Sequence, residues 1–176
     1  MTCEADLQAD ALADLNTTHN KLSVWQVQEN LSNLDQIITA LAANCDKVSK
    51  LDYLIFDSQI LQALQIEDKP TPGESGHYAA NKWHVDLADL SALKLVRLAK
   101  SLLDDSTIDR KQEKEVLRLV VKAVQVGELQ LGKLQVKIKL AVLQSLVQAL
   151  NSKTLAPEDL PEHLRQAVLG YSKDHA

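Results

Sequence analysis

Apolar residues recur three and four positions apart along most of this chain, a spacing that aligns side chains on one face of a helix. The longest such run is Val24, Val27, Leu31, Leu34, Ile38, Leu41, Cys45 and Val48. It predicts one long helix, opened by Ser23 as N-cap, whose apolar seam packs against another helix. The seam either closes a hairpin within the monomer or zips two copies into a homodimer. A short acidic helix is predicted before it, over Glu4–Leu15, ending at "NTTHN", where Asn and Thr side chains compete for backbone hydrogen bonds. A third helix is predicted from about Ser49 to Leu64, through "LDYLIF" and "ILQAL".

The segment "EDKPTPGESGHYAAN", residues 67–81, carries two of the four Pro and two of the five Gly, and reads as a linker. Three apolar-rich segments follow, over residues 87–103, 109–126 and 133–150. "ELQLGKLQVKIKL" also alternates with the period of two that marks a strand. Helix is preferred there, because Gly132 interrupts the alternation while Val136, Leu140, Leu143, Val147 and Leu150 form a helical stripe. A last short helix is expected with Pro161 near its first turn and Gly170 as its stop, followed by a frayed tail.

These elements predict an all-α bundle of six or seven helices, with a possible long N-terminal helical hairpin. Composition agrees with that expectation. Only five Gly and four Pro punctuate 176 residues, whereas an all-β chain needs many tight turns. Hydrophobic residues at 45% and charged residues at 24% belong to a globular chain, and 3% aromatics leave the core to Leu, Val, Ile and Ala. The organisation expected is an acidic N-terminal helical segment over 1–66, a linker over 67–81 and a C-terminal helical segment over 82–176, either separate or sharing one core.

Two cysteines, Cys3 and Cys45, form neither a disulfide framework nor a metal-type pair, and "MTCEADLQADALADL" has no basic start and apolar run. No apolar stretch approaches the roughly 20 residues that span a bilayer. The expectation is a cytoplasmic, soluble protein with no membrane partner.

The net charge of −5 is unevenly spread. Up to Leu93 there are five basic and fourteen acidic side chains, and from Lys94 onward fourteen basic and ten acidic. The basic residues of the second half are ordered: Arg110, Lys114, Arg118 and Lys122 recur every four residues, Lys94, Arg97 and Lys100 every three, and Lys133 and Lys137 repeat the spacing. Such stripes are solvated faces, a lining for a nucleic-acid backbone, or a docking surface for an acidic protein. The acidic chain and the lack of interleaved aromatics weigh against nucleic acid.

The acidic stretch "SLLDDSTIDRKQEKEVLRLVV" fails as a calcium loop. Counted from Asp104, Ile108 supplies no oxygen at position five, Asp109 stands where Gly is needed, and Lys111 replaces the apolar residue. It reads instead as a helix start with Ser106 as N-cap and Asp109 three residues on. "LAKSLLDDSTIDRKQEKEVLRLV" resembles the TerB-like helical domains, in which a helix ends in an Ala-Asp-Gly turn and a new acidic helix follows. The resemblance covers about residues 93–150. It implies a helical fold in which acids near that turn bind metal. Asp105 and Asp109 match, but Ser106 replaces the usual Gly and Gln112 an acid, so no metal site is carried over.

Among other groups, only His77, His84, Asp86 and Asp89 concentrate possible metal ligands, at a spacing that does not fit one helix face. No phosphate loop, Ser-His-Asp set or Cys-His pair is present, and no cofactor is expected. The function expected is a non-catalytic helical interaction protein, such as an adaptor, regulator, immunity-type inhibitor or accessory subunit. The alternative is a small subunit of a nucleoprotein complex, similar in general style to the small subunits of CRISPR effector complexes, touching phosphates through Arg110, Lys114, Arg118 and Lys122. A metal-dependent enzyme around His77, His84 and Asp86 is the weakest of the three readings.

Overall fold

A computed structural model of the chain describes residues 15, 17–105 and 107–174. Among these residues it is a mixed α/β protein, not the all-α bundle expected: five strands and seven α-helices alternate along the chain. The expected Glu4–Leu15 helix and Ser106 N-cap fall on or reach into positions outside the described residues. The described residues divide into two compact units, each drawn from three separate stretches of chain. The 67–81 segment does not separate them, since its first part belongs to one unit and its second part to the other.

The first unit takes the chain up to Val27, then Asp52–Gly73 and Lys82–Asp109. Strand β1 (Leu22–Trp25) lies where the long helix was expected to begin. Its two-residue alternation, Leu22 and Val24 against Ser23 and Trp25, prevails over the three-four spacing that runs through Val24 and Val27. Strand β4 (His84–Ala88) is central, with β1 on one side and β3 (Glu67–Pro70) on the other, all antiparallel. The register pairs Leu22 with Leu87 and Val24 with Val85, so these apolar side chains share one face. That face meets a core of Leu61, Ile66, Leu87, Leu90, Leu98 and Leu102, each of which stabilises the fold by about 1.5–3 kcal/mol on burial. Edge strand β3 is all exposed, and its Glu67, Asp68, Lys69 and Pro70 blunt an edge that would otherwise pair with another chain.

The expected Ser49–Leu64 helix resolves into strand β2 (Leu51–Ile55) and a five-residue helix α2 (Gln59–Ala63). Asp57 Oδ1 accepts the Gln59 N–H at 2.8 Å and turns the chain between them. Strand β2 pairs with β5 (Thr107–Lys111) in a separate two-stranded sheet, where the Tyr53 hydroxyl donates to Asp109 Oδ2 at 2.6 Å. Residues 87–103 combine the end of β4, a turn at Asp89 with φ +54°, and helix α4 (Ala92–Asp105).

The second unit takes Gln28–Leu51, Glu74–Asn81 and Arg110–Ala176. Of the expected Val24–Val48 helix, only α1 (Leu34–Ala43) forms. Leu31 has φ +57° and is exposed, Cys45 is exposed, and Val48 lies in a loop. Ile38 is buried within α1, while Leu34 and Leu41 are half-buried on it. The seam is therefore no continuous surface. Helix α5 (Glu113–Gln125) packs against α1 and α6 (Val136–Asn151), and α6 packs against α7 (Glu162–Asp174). The alternating stretch 129–140 forms no strand: its second part opens α6. Gly170 lies inside α7 rather than ending it. Helix α5 starts at Glu113, where the Gln112 N–H donates to Glu115 Oε2 at 2.9 Å, instead of at Ser106.

Three helix ends explain why scarce glycine did not mean few turns. At the ends of α2, α5 and α6 the residue just past the cap is left-handed and closes the same pair of backbone hydrogen bonds. Gln65 N–H donates to Gln62 O and Ile66 N–H to Leu61 O; Gly127 to Val124 and Glu128 to Ala123; Lys153 to Leu150 and Thr154 to Ala149. Only the second of these turns uses glycine. His19, Asn20, Leu31 and Asp89 likewise take positive φ without it.

Candidate functional site

Helix α4 presents the most ordered exposed surface of the first unit. Ser91 opens it, its Oγ accepting the Lys94 N–H at 3.3 Å. Leu98, Ala99 and Leu102 are buried on the side that meets the sheet. The opposite side carries Leu93 (58% exposed), Val96 (38%) and Leu103 (58%), with Arg97 and Lys100 exposed between them. Residues 93, 96, 100 and 103 are three, four and three apart, and with Arg97 they fall within about 120° of the helix circumference. Of the expected basic stripe here, Lys94 is committed elsewhere. Its Nζ donates to the Gln65 carbonyl at 2.8 Å, satisfying a carbonyl at the end of α2.

In the second unit, Lys114, Arg118 and Lys122 stand exposed along one side of α5. Arg110 does not extend that ridge, because it lies on β5 before the helix begins. Lys133 is exposed in the turn before α6 and Lys137 in the first turn of α6, where Val136 (72% exposed) and Leu140 (41%) also face solvent.

The histidines are divided rather than gathered. His77 belongs to the second unit, while His84 and Asp86 belong to the first. His84 Nδ1 lies 2.6 Å from the Thr71 carbonyl, so it carries the proton that this bond needs. Its ring meets Trp25 edge-on at 5.2 Å between centroids. Asp86 receives the Ser23 hydroxyl at 3.0 Å and sits 3.5 Å from Lys21 Nζ, across the β1–β4 pair. These are cross-strand contacts that hold the register. Among the described residues no group of three or more His, Cys, Asp or Glu is placed to share a metal ion. Asp109, which matches the TerB-like pattern, accepts a hydrogen bond from the Tyr53 hydroxyl on one carboxylate oxygen.

His77 is fully buried in a polar knot formed by the loop 74–81 with helix α3 (Tyr78–Asn81). Asn81 Oδ1 accepts from the Ser75 N–H at 3.1 Å and from the Ser75 hydroxyl at 2.6 Å, and Asn81 Nδ2 donates back to the Ser75 carbonyl at 3.0 Å. Gly76 lets this loop press on its neighbour, since a Cβ there would meet Leu129 Cδ1 at 3.2 Å and Lys133 Cβ at 3.3 Å. The residues that sequence reasoning missed are Leu93, Val96 and Leu103: they lie in the apolar-rich segment 87–103, and only the placement of α4 on the sheet shows which side they take. Among the described residues no helix is long and apolar enough to cross a membrane. No family model, no curated protein and no solved structure matches the chain.

Proposed function

We propose that the chain is a non-catalytic interaction protein, an adaptor, regulator, inhibitor or accessory subunit, that docks a protein partner on the outer side of α4. The observation that supports this reading is the alignment of Leu93, Val96 and Leu103, exposed together along one helix. Single exposed aliphatics are ordinary on protein surfaces, but a row at helical spacing is the form a helix-docking seam takes. A reducing, cytoplasmic setting fits the exposed free thiol of Cys45. The test is capture from the native host with the wild-type chain and a Leu93→Glu/Leu103→Glu variant. A partner retained by the first and lost by the second supports docking through α4; equal capture by both, or none, refutes it.

A second reading rests on α5, where Lys114, Arg118 and Lys122 form an exposed cationic line suited to a nucleic-acid backbone in a nucleoprotein assembly. Three phosphate contacts would give a salt dependence with a log-log slope of about −2 to −3. Arg118→Glu/Lys122→Glu would abolish that binding. Absence of any binding at low salt removes this reading.

A further inference from the structure

The two edges of the three-stranded sheet differ in what they offer to a further strand. The Gln26 N–H donates to the Trp83 carbonyl at 2.8 Å, in register with the β1–β4 ladder. By the alternation of an antiparallel pair, Leu22, Val24 and Gln26 turn their main-chain groups toward β4, while Lys21, Ser23 and Trp25 turn theirs outward. Lys21 closes its outer pair with Thr18, at 3.0 and 3.1 Å. Among the described residues, the outer N–H and C=O of Ser23 and Trp25 have no hydrogen-bond partner. On the far edge the Thr71 N–H donates to the His84 carbonyl at 3.2 Å, so β3 turns Asp68 and Pro70 outward. Pro70 has no N–H to give, and Glu67, Asp68 and Lys69 add charge, so that edge resists another strand. Strand β1, with the sequence Leu-Ser-Val-Trp, carries neither proline nor charge.

We propose that β1 pairs antiparallel with β1 of a second copy, about a two-fold axis at Val24, and so joins two three-stranded sheets into one of six strands. The edge itself selects this occupant. Its two outward residues stand two apart, so a single symmetric register uses all of their groups: Ser23 against the partner's Trp25, and Trp25 against the partner's Ser23, each pair exchanging both bonds. Val24 then meets the partner's Val24 and Leu22 meets the partner's Gln26, so no like charges oppose each other. The two Trp25 rings become diagonal neighbours on the face turned away from the core, within reach of one another. The turn that bonds Thr18 to Lys21 confines the pairing to residues 22–26. Strand β1 ends within that length, whereas a longer foreign strand would run into the turn. The pairing is separate from docking on α4 and stands or falls without it.

The test is sedimentation equilibrium of the full chain, with a cross-link to fix the register. So short a pairing belongs with weak contacts, and dimer is expected at about 100 μM with dissociation below about 1 μM. Ser23→Pro deletes an outward N–H without touching the ladder to β4, and is expected to weaken self-association at least about tenfold. Ser23→Ala, which loses only the hydroxyl bond to Asp86, is expected to keep it. In a Cys3→Ala/Cys45→Ala background, Val24→Cys sets two thiols across the axis with a Cα separation of about 4.5 Å, and an intermolecular disulfide is expected. Ser23→Cys sets its pair about 8 Å apart, beyond the reach of a disulfide. The cross-link is read without proline, so it decides the question even where Ser23→Pro disturbs β1. A wild-type chain that is monomeric at about 100 μM, self-association unchanged in Ser23→Pro, or equal cross-linking at positions 23 and 24 each overturns the inference. A chain that stays monomeric yet binds a synthetic peptide of alternating valine and threonine, with that binding lost in Ser23→Pro, assigns the edge to a foreign strand and overturns the second copy.

Discussion

The buried imidazole of His77 points its Nε2 at the carboxylate of Glu128, 3.5 Å from Oε2. The approach is close enough for attraction but not aligned as a hydrogen bond, and among the described residues Nε2 has no hydrogen-bond partner. The Ala80 N–H is shared between the His77 carbonyl at 3.1 Å and His77 Nδ1 at 3.3 Å, so Nδ1 accepts and the ring proton sits on Nε2, facing the carboxylate. Glu128→Ala strands that N–H in a closed site and is expected to cost about 1–2 kcal/mol. His77→Ala removes the ring that fills the knot and is expected to cost about 2–4 kcal/mol. Denaturant midpoints at constant slope check both, and a smaller cost for His77→Ala than for Glu128→Ala would refute the assignment.

Lys153 and Gly127 occupy the same position in two turns of the same design, one with a side chain and one without. Lys153→Gly is expected to stabilise the protein by about 0.5–1 kcal/mol, because a left-handed lysine carries strain that glycine does not. Gly127→Ala is expected to destabilise it by about 1 kcal/mol through the backbone alone, since nothing lies within 4 Å of the added Cβ. Thermal unfolding of the two variants should move in opposite directions.

Lys69 sits 3.3 Å from Glu67 and 3.6 Å from Asp89. The hydrogen bond and charge of Glu67, with the charge of Asp89 behind them, hold its ammonium above the usual 10.5. A raised value means that the stabilisation is fully present below that ordinary figure and disappears as the pH climbs through the folded-state value. Wild type and Lys69→Gln should therefore differ in urea midpoint below the ordinary lysine value and converge as the pH rises past it. A gap that widens with pH would show the sign to be wrong.

Leu98 and Leu93 lie on opposite sides of α4, and truncating each should report which side is which. Leu98 is fully buried, so Leu98→Ala is expected to cost about 2–5 kcal/mol. Leu93→Ala, on the exposed side, should stay within about 0.5 kcal/mol. Comparable losses at the two positions would mean that the outer side is already covered within the chain.

The helices of the second half were legible because each is long enough for its apolar stripe to repeat: α5 falls within the expected segment 109–126, and α6 runs one residue past the expected 133–150. The strands were not. Each has four or five residues, room for at most two turns of alternation, and Val24, Val27, Leu31 and Leu34 happened to fall at helical intervals across a strand, a loop and the first residue of α1. What decides their state is the partner strand. Val24 is a strand residue because Val85 lies beside it, and that pairing joins positions far apart in sequence. The basic residues were visible from the start, but their roles were not. Of the stripes read from the sequence, Lys94 became a cap for another helix and Arg110 a strand residue, while Arg97, Lys100, Lys114, Arg118, Lys122, Lys133 and Lys137 stand at exposed helical or turn positions.

Each compact unit takes its residues from three stretches, alternating with those of the other. No single scission, by protease or by gene truncation, can release either unit whole. Cutting after Gly73, the choice that composition suggests, would leave the first unit without β4 and the second without α5, α6 and α7 on the N-terminal fragment. Loss of binding in a deletion series would then report unfolding rather than the location of a surface. Point substitutions on exposed helix faces test a proposed docking surface without that confusion.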